Sequence, residues 1–184
     1  MQISHTTDEP TLVRAAQTDT QAFGALYDRY VQRVYRYCYY RTNSASDAED
    51  LTAQIFLTAL EALPRYRQDG HFAAWLFSIA RKKVADFHRR RSHVPLEEAV
   101  LPPLHADSSA DLALDVETSQ RRERLLKRVQ ALAEEERELI HLRYVAELSF
   151  AEMAKALQRN EDAVKKSVYR LMARLKQELE VDHE

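Results

Sequence analysis

The sequence predicts an all-α protein, two small helical domains joined by a flexible linker. Two glycines and five prolines in 184 residues are too few for the many tight turns of a β-rich fold. Apolar residues recur at steps of three and four, the spacing of one helix face, in segment after segment. Between Ser92 and about Ala110 that periodicity stops, and Pro95, Pro102, Pro103 and a serine pair take its place. Such a stretch reads as an extended connector. The expected boundaries are therefore 1–91, 92–110 and 111–184.

The first domain opens at Asp8-Glu9-Pro10, where proline sits early in a helix and its missing N–H costs nothing. A short helix to about Gln17 turns Leu12, Val13 and Ala16 inward. Thr20 to Thr42 follows as a long helix. Phe23, Tyr27, Tyr30, Val34 and Tyr37 form its seam, and Asn43 terminates it. Tyr35, Tyr39 and Tyr40 lie off the seam, with no role assigned by spacing. Ser46 and Glu49 have capping-box spacing at the start of a third helix, which runs to Leu63 and is ended by Pro64. Leu51, Ile55, Ala59 and Ala62 make its inward stripe, with Phe56, Leu60 and Leu63 beside it. Its charges, Asp47, Glu49, Asp50 and Glu61, are all acidic.

Arg65 to Gly70 is a short arginine-rich loop containing Tyr66. A helix from about His71 to Arg91 follows. Its apolar side is Phe72, Trp75, Leu76, Ile79, Ala80, Val84 and Phe87. Its second half carries Arg81, Lys82, Lys83, His88, Arg89, Arg90 and Arg91. Cations also suit a helix C-terminus. Loop and helix are basic together, however, and aromatics among arginines suit separated strands, where bases stack and phosphates pair. Beyond the connector, helices are expected over about Asp111–Leu132, with Leu125, Val129 and Leu132 inward, and over Glu134–Ala146, with Leu139, Leu142 and Val145 inward.

Ser149 and Glu152 form another capping box, with Leu148 and Met153 placed as its hydrophobic staple. The short helix they open carries Phe150, Met153, Ala154 and Leu157 on one face. Gln158-Arg159-Asn160 breaks it, and Asn160 caps a second helix whose first turn holds Glu161 and Asp162. Val164, Val168, Leu171 and Leu175 form its buried stripe. Lys165, Lys166, Tyr169, Arg170 and Arg174 lie off it. This is the pattern of a helix-turn-helix, whose second helix enters the DNA major groove. It is also the pattern of an ordinary helical hairpin with a solvated basic face.

Formal net charge is −2, so bulk charge announces no partner. Its distribution says more. From Arg65 to Ser92 eight basic residues stand against Asp69 and Asp86, whereas Ser92 to Gln120 contains acids and no Lys or Arg. One cysteine, Cys38, excludes an intramolecular disulfide and reads as a small buried hydrophobe. The seven histidines have no metal-ligand spacing. No nucleophile–base pair or phosphate-cradling glycine loop appears, so neither catalysis nor a cofactor is expected. The absence of a signal peptide or spanning apolar run predicts a cytoplasmic protein.

In order and length these segments resemble bacterial RNA polymerase sigma factors of the sigma-70 family, in the small extracytoplasmic-function (ECF) group. DAEDLTAQIFLTALEALPRYRQDGHFAAWLFSIARKKVADFHRRR looks like that group's region 2, and ERELIHLRYVAELSFAEMAKALQRNEDAVKKSVYRLMARLKQEL like its region 4. The resemblance implies a subunit that directs core RNA polymerase to promoters. Asp47, Glu49, Asp50, Gln54 and Phe56 would meet the polymerase clamp. Arg65, Tyr66, Arg67, His71, Trp75, Arg81 and Lys82 would recognise and melt the −10 element. Lys165, Lys166, Ser167, Tyr169, Arg170 and Arg174 would read the −35 duplex, and the connector would thread toward the polymerase active centre. Many members are held by an anti-sigma factor, which adds a partner class.

Where many members read TVKSRLHRAR, this chain has AVKKSVYRLM from Ala163 to Met172. Its −35 preference is therefore not inherited from relatives. Two other classes fit parts of the pattern: a polymerase-independent helix-turn-helix regulator binding a two-fold operator, and a helical adaptor for an acidic protein. The loop Arg65–Gly70 discriminates, because a simple repressor has no use for a site for melted DNA.

Overall fold

A computed structural model describes residues 8–67, 70–91 and 125–181, and the description below concerns these. The connector, residues 111–124 of the helix expected over about Asp111–Leu132, and Gln68 and Asp69 of the basic loop lie outside them. Every regular element among the described residues is a helical one, with no strand among them.

The N-terminal half is a bundle of α1 (Glu9–Ala16), α2 (Thr20–Thr42), α3 (Ala45–Ala62) and α4 (Phe72–Arg91). Asp8 caps α1 by accepting the Thr11 N–H at 3.3 Å. Asp19 caps α2, which ends at Asn43 in the left-handed region, φ 57°. Asparagine tolerates that conformation better than most residues, which is why the helix stops there. The start of α3 corrects the sequence reading. Its N-cap is Ser44, whose Oγ accepts the Asp47 N–H at 3.3 Å. Ser46 lies inside the first turn, so the Ser46–Glu49 pair is not the cap. Leu63, Pro64 and Arg65 then form one 3-10 turn.

The seam of α2 is buried at Phe23, Tyr30, Val34 and Tyr37, but Tyr27 is 40 % exposed. Its ring instead lies edge-on over Phe56, centroids 4.7 Å apart, at the margin of the core. The off-seam tyrosines are half-buried, with Tyr35 and Tyr39 stacked on each other and Tyr40 tilted against His141. Cys38 is fully buried, and burial pushes its thiol up to about 12, so it behaves as a hydrophobe.

The C-terminal half comprises α5 (residues 125–131), α6 (Glu134–Ile140), α7 (Phe150–Leu157) and α8 (Glu161–Val181). Leu139, Leu142 and Val145 are buried as expected, and Leu132 with them, while Leu125 is 41 % exposed. The expected helix over Glu134–Ala146 is regular only to Ile140, and widens into a π turn over His141–Val145. Glu147 after it is left-handed, φ 56°. Its carbonyl accepts from Arg33 of α2 at 3.2 Å, and its carboxylate pairs with Arg36 at 3.6 Å.

The halves pack together. α7 lies along α4, and the π turn lies against α2. One apolar core accordingly runs from Leu12 to Val168, and Leu171 and Leu175 join a smaller cluster with Leu132 and Ile140.

His141 sits in this junction, 4 % exposed. Burial, with the Arg41 and Arg137 guanidiniums beside it, pushes its imidazole down to about 3 from 6.5, against a smaller upward pull from Glu134. The unfolded chain therefore binds the proton that the folded chain excludes. Stability is lost as pH falls from about 6.5 toward 3, by roughly 1 kcal/mol per pH unit. His141→Phe keeps the contact with Tyr40 and is expected to flatten that part of the dependence in urea unfolding at about pH 7 and pH 5.5.

Candidate nucleic-acid interface

The helix-turn-helix is built from local signals. Ser149 Oγ accepts the Glu152 N–H at 3.2 Å, and a Glu152 carboxylate oxygen accepts the Ser149 N–H at 2.7 Å. Leu148 and Met153 close over this box, both fully buried. Gln158 ends α7 in the left-handed region, φ 53°, the conformation that many turns give to glycine. Asn160 Oδ1 accepts the Asp162 and Ala163 N–H groups at 2.9 and 3.3 Å and starts α8. Val164, Val168, Leu171 and Leu175 turn inward, all at most 3 % exposed.

Lys165, Lys166, Tyr169 and Arg170 consequently stand on the open face of α8. The Tyr169 ring is 58 % exposed and tilts over Phe150 at 5.7 Å, and the Arg143 guanidinium lies 4.8 Å over that same Phe150 ring. Ser167 is half-buried, with Arg159 Nη2 donating to its Oγ at 3.4 Å. Arg174 is turned away toward α6, where it donates to Glu136 at 2.7 Å and pairs with Glu178 at 3.7 Å. That hydrogen bond to Glu136 raises its pKa.

The basic loop is pinned from behind. Gln17 Nε2 donates to the Leu63 and Tyr66 carbonyls at 3.1 and 2.8 Å. The Tyr66 ring lies 4.7 Å from Trp75 and edge-on to Phe72 at 5.9 Å. Gly70 returns the chain to α4 at φ 81°, a backbone conformation that a side chain would strain. Arg65 and Arg67 are exposed, His71 and Trp75 half-buried. Together with Lys155 of α7 and Gln158 at its C-terminal cap they border an open cleft of about 340 Å³, with no carboxylate among its described lining residues. Cations beside aromatic faces can pair with phosphates and stack on bases.

Two members of the predicted −10 set lie elsewhere. Lys82 is exposed further along α4. Arg81 points into the junction between the halves, where its Nε donates to Glu138 at 2.8 Å and its Nη1 to the Ala156 carbonyl at 2.5 Å.

On α3, Glu49, Asp50 and Gln54 are exposed on one face. Asp47 beside them accepts from Arg91 at 2.8 Å. A groove of about 160 Å³ separates them from Lys83, Phe87 and Arg90 of α4. Phe56 is 5 % exposed and packs on Phe23 and Tyr27, so it supports the helix from inside.

Residues 26–94 match the Sigma-70 region 2 family and residues 122–175 the Sigma-70 region 4 family. The chain belongs to the sigma-70 family. It is 31 % identical over 179 residues to ECF RNA polymerase sigma factor SigD of Mycobacterium tuberculosis, covering 93 % of this chain and 83 % of SigD. It is 39 % identical over 167 residues to ECF RNA polymerase sigma factor BldN of Streptomyces coelicolor, covering 88 % of this chain but only 62 % of BldN's length. In fold it is similar to CnrH, solved in complex with the cytosolic domain of CnrY (TM-score 0.69, 23 % identity, 95 % of this chain and 98 % of that one). It is also similar to the sigma factor RpoE of Bartonella quintana, solved with the anti-sigma factor NepR (TM-score 0.66, 21 % identity, 88 % and 99 %).

Two features of this sigma factor were not singled out from sequence. Leu57 is 60 % exposed, an apolar spot in line with Asp50 and Gln54 at helical steps of four and three. Its outward register was available in the sequence, but a single exposed leucine is common enough to carry no signal. Lys155 was given no reading and Gln158 was read only as part of the turn, because their place beside the basic loop depends on how the halves pack.

Phe56→Ala is expected to cost about 3–5 kcal/mol of stability, the range for truncating a buried phenylalanine. Asp50→Lys, on the exposed face of the same helix, is expected to stay within about 0.5 kcal/mol of the parent. Chemical denaturation of the two variants separates the inner and outer faces of α3.

Proposed function

We propose that this chain is the promoter-specificity subunit of a bacterial RNA polymerase, binding core enzyme and directing initiation at −10 and −35 elements without catalysis of its own. The observation that carries this reading is the coexistence of two different basic surfaces. One is an aromatic and arginine cleft suited to separated strands. The other is the open face of α8, suited to the groove and phosphates of duplex. A repressor that binds only duplex operator would leave the first without a use, which disfavours the polymerase-independent reading.

On this reading residues 1–91 form the region 2 domain, 92–110 the connector and 111–184 the region 4 domain. Arg65, Tyr66, Arg67, His71 and Trp75 receive the melted −10 strand. Lys165, Lys166, Tyr169 and Arg170 contact the −35 duplex, with Ser167 at the margin of that face. Glu49, Asp50 and Gln54 bind the polymerase clamp, with Asp47 beside them. An anti-sigma factor is the expected inhibitory partner, and the site of action is the cytoplasm.

Run-off transcription with purified chain and bacterial core polymerase, on a fragmented library of host genomic DNA, tests the reading. Discrete transcripts that require the chain are expected. Their absence, with a core enzyme active alongside another sigma factor, would overturn it. Once a promoter is in hand, Arg170→Ala is expected to weaken −35 duplex binding by about 5- to 150-fold, equivalent to about 1–3 kcal/mol. Reversing Glu49 and Asp50 to lysine is expected to weaken core binding while helical content is unchanged.

A further inference from the structure

Gln17, the C-cap residue of α1, is half-buried and reaches across the bundle to the base of the basic loop. Its Nε2 donates to the Leu63 carbonyl at 3.1 Å and to the Tyr66 carbonyl at 2.8 Å. A carboxamide nitrogen carries two hydrogens, so one side chain serves both acceptors. The two carbonyls bracket the 3-10 turn over Leu63–Arg65. The Leu63 carbonyl also accepts the Tyr66 N–H at 3.0 Å, which closes that turn. Tyr66 itself is extended, φ −65° and ψ 125°, where the chain leaves the turn for Arg67. Holding both ends of the turn fixes the direction in which the chain leaves it.

The rest of α1 backs the same place. Glu9 accepts from the Tyr30 hydroxyl, and the Tyr30 ring lies 5.4 Å from that of Phe72. Phe72 in turn packs on Tyr66 at 5.9 Å and on Trp75 at 5.4 Å. Pro10 and Val13 meet Tyr66, His71 and Phe72 around a hollow of only about 20 Å³. Tyr66 is therefore fixed twice, by its ring and by its carbonyl, and the exposed Arg65 and Arg67 stand on either side of it in the chain. Gln17 and α1 precede residues 26–94, the segment that matches the region 2 family.

A base taken out of its stack is captured against the cost of unstacking it. Residues already held in the receiving pose lose little further freedom when it arrives, whereas loose ones must be ordered at that moment. Attraction of phosphates is different in kind. It follows the charge of Arg65 and Arg67 and depends little on their exact pose.

We propose that Gln17 is a positioning residue for the melted −10 strand: by holding the Leu63 and Tyr66 carbonyls it sets the pose in which Tyr66, Arg65 and Arg67 receive an unstacked base. The assignment rests on the sigma reading given above. Its signature is a loss of base discrimination in single-stranded DNA, with charge-driven binding and the −35 contact unchanged.

The test uses the full chain bound to bacterial core polymerase. Gln17→Met keeps the length of the side chain and removes both donors, and Gln17→Lys restores a donor at similar reach. Fluorescence anisotropy measures binding to three probes from the chain's own promoter: the non-template −10 strand, the same strand with its −10 bases scrambled, and the −35 duplex. Circular dichroism checks that helix is retained. The ratio of native to scrambled affinity is expected to fall about 3- to 10-fold in Gln17→Met, the worth of about one hydrogen bond. Affinities for the scrambled strand and the duplex are expected to stay within about twofold, because no charge has changed. Gln17→Lys is expected to return the ratio to within about twofold of the parent, since its added charge acts on both strands alike. An unchanged ratio in Gln17→Met would overturn the assignment. Equal losses on all three probes would reveal a purely structural role and overturn it as well, as would a Gln17→Lys ratio no better than that of Gln17→Met. If the unaltered chain with core polymerase shows no preference for the native strand and yields no transcript, the sigma reading falls and this assignment with it.

Discussion

The buried carboxylate of Glu138 is the constraint around which the halves are arranged. An ionised carboxylate taken from water costs several kcal/mol unless charges and donors replace its hydration. Here the replacements come from three residues on two helices, Tyr37, Arg41 and Arg81. The Tyr37 hydroxyl stays protonated, because burial first and the neighbouring Glu138 charge second push its pKa well up. Arg41, its own side chain 7 % exposed, is shared between Glu138 and Glu134. These directional contacts tie Glu138 of α6 to α2 and α4 at fixed donors.

From that attachment the rest follows. With α6 fixed, the π turn lies against α2 and α7 lies along α4. His141 is then enclosed among cations and held neutral. The signals that start and stop the helices of the helix-turn-helix do not depend on the junction, since its capping box, left-handed Gln158 and Asn160 cap are all local. Order is thus divided between local signals in the helix-turn-helix and long-range contacts at the junction.

This division also explains what the sequence made legible. Helix periods identified the inward stripes of α1, α3 and α8, and turn chemistry located Asn43 and Asn160, because both signals act within a few residues. The Ser46–Glu49 box misled because Ser44, two residues earlier, offers the same hydroxyl at an extended backbone, φ −143°. Tyr27 is periodic yet exposed because the fully buried Leu26 beside it takes the inward position and leaves Tyr27 on the flank of the stripe. Phe56 was carried into the polymerase-binding set by resemblance, whereas packing on Phe23 and Tyr27 uses its ring internally. Glu138 and Arg81 were the least legible. Glutamate in an acidic helix and arginine in a basic one read as solvated surface, and nothing within either segment reveals that each is the other's partner across 57 positions.

The most direct test of this account is a double-mutant cycle between Glu138 and Arg41 in the full chain, using Glu138→Gln, Arg41→Gln and both together, read by equilibrium urea unfolding. A buried pair that holds the junction predicts a coupling of about 1–3 kcal/mol, with the double substitution costing less than the sum of the single ones. Additive costs within about 0.3 kcal/mol would contradict it and would place the docking energy in the apolar contacts of α4 with α7 instead.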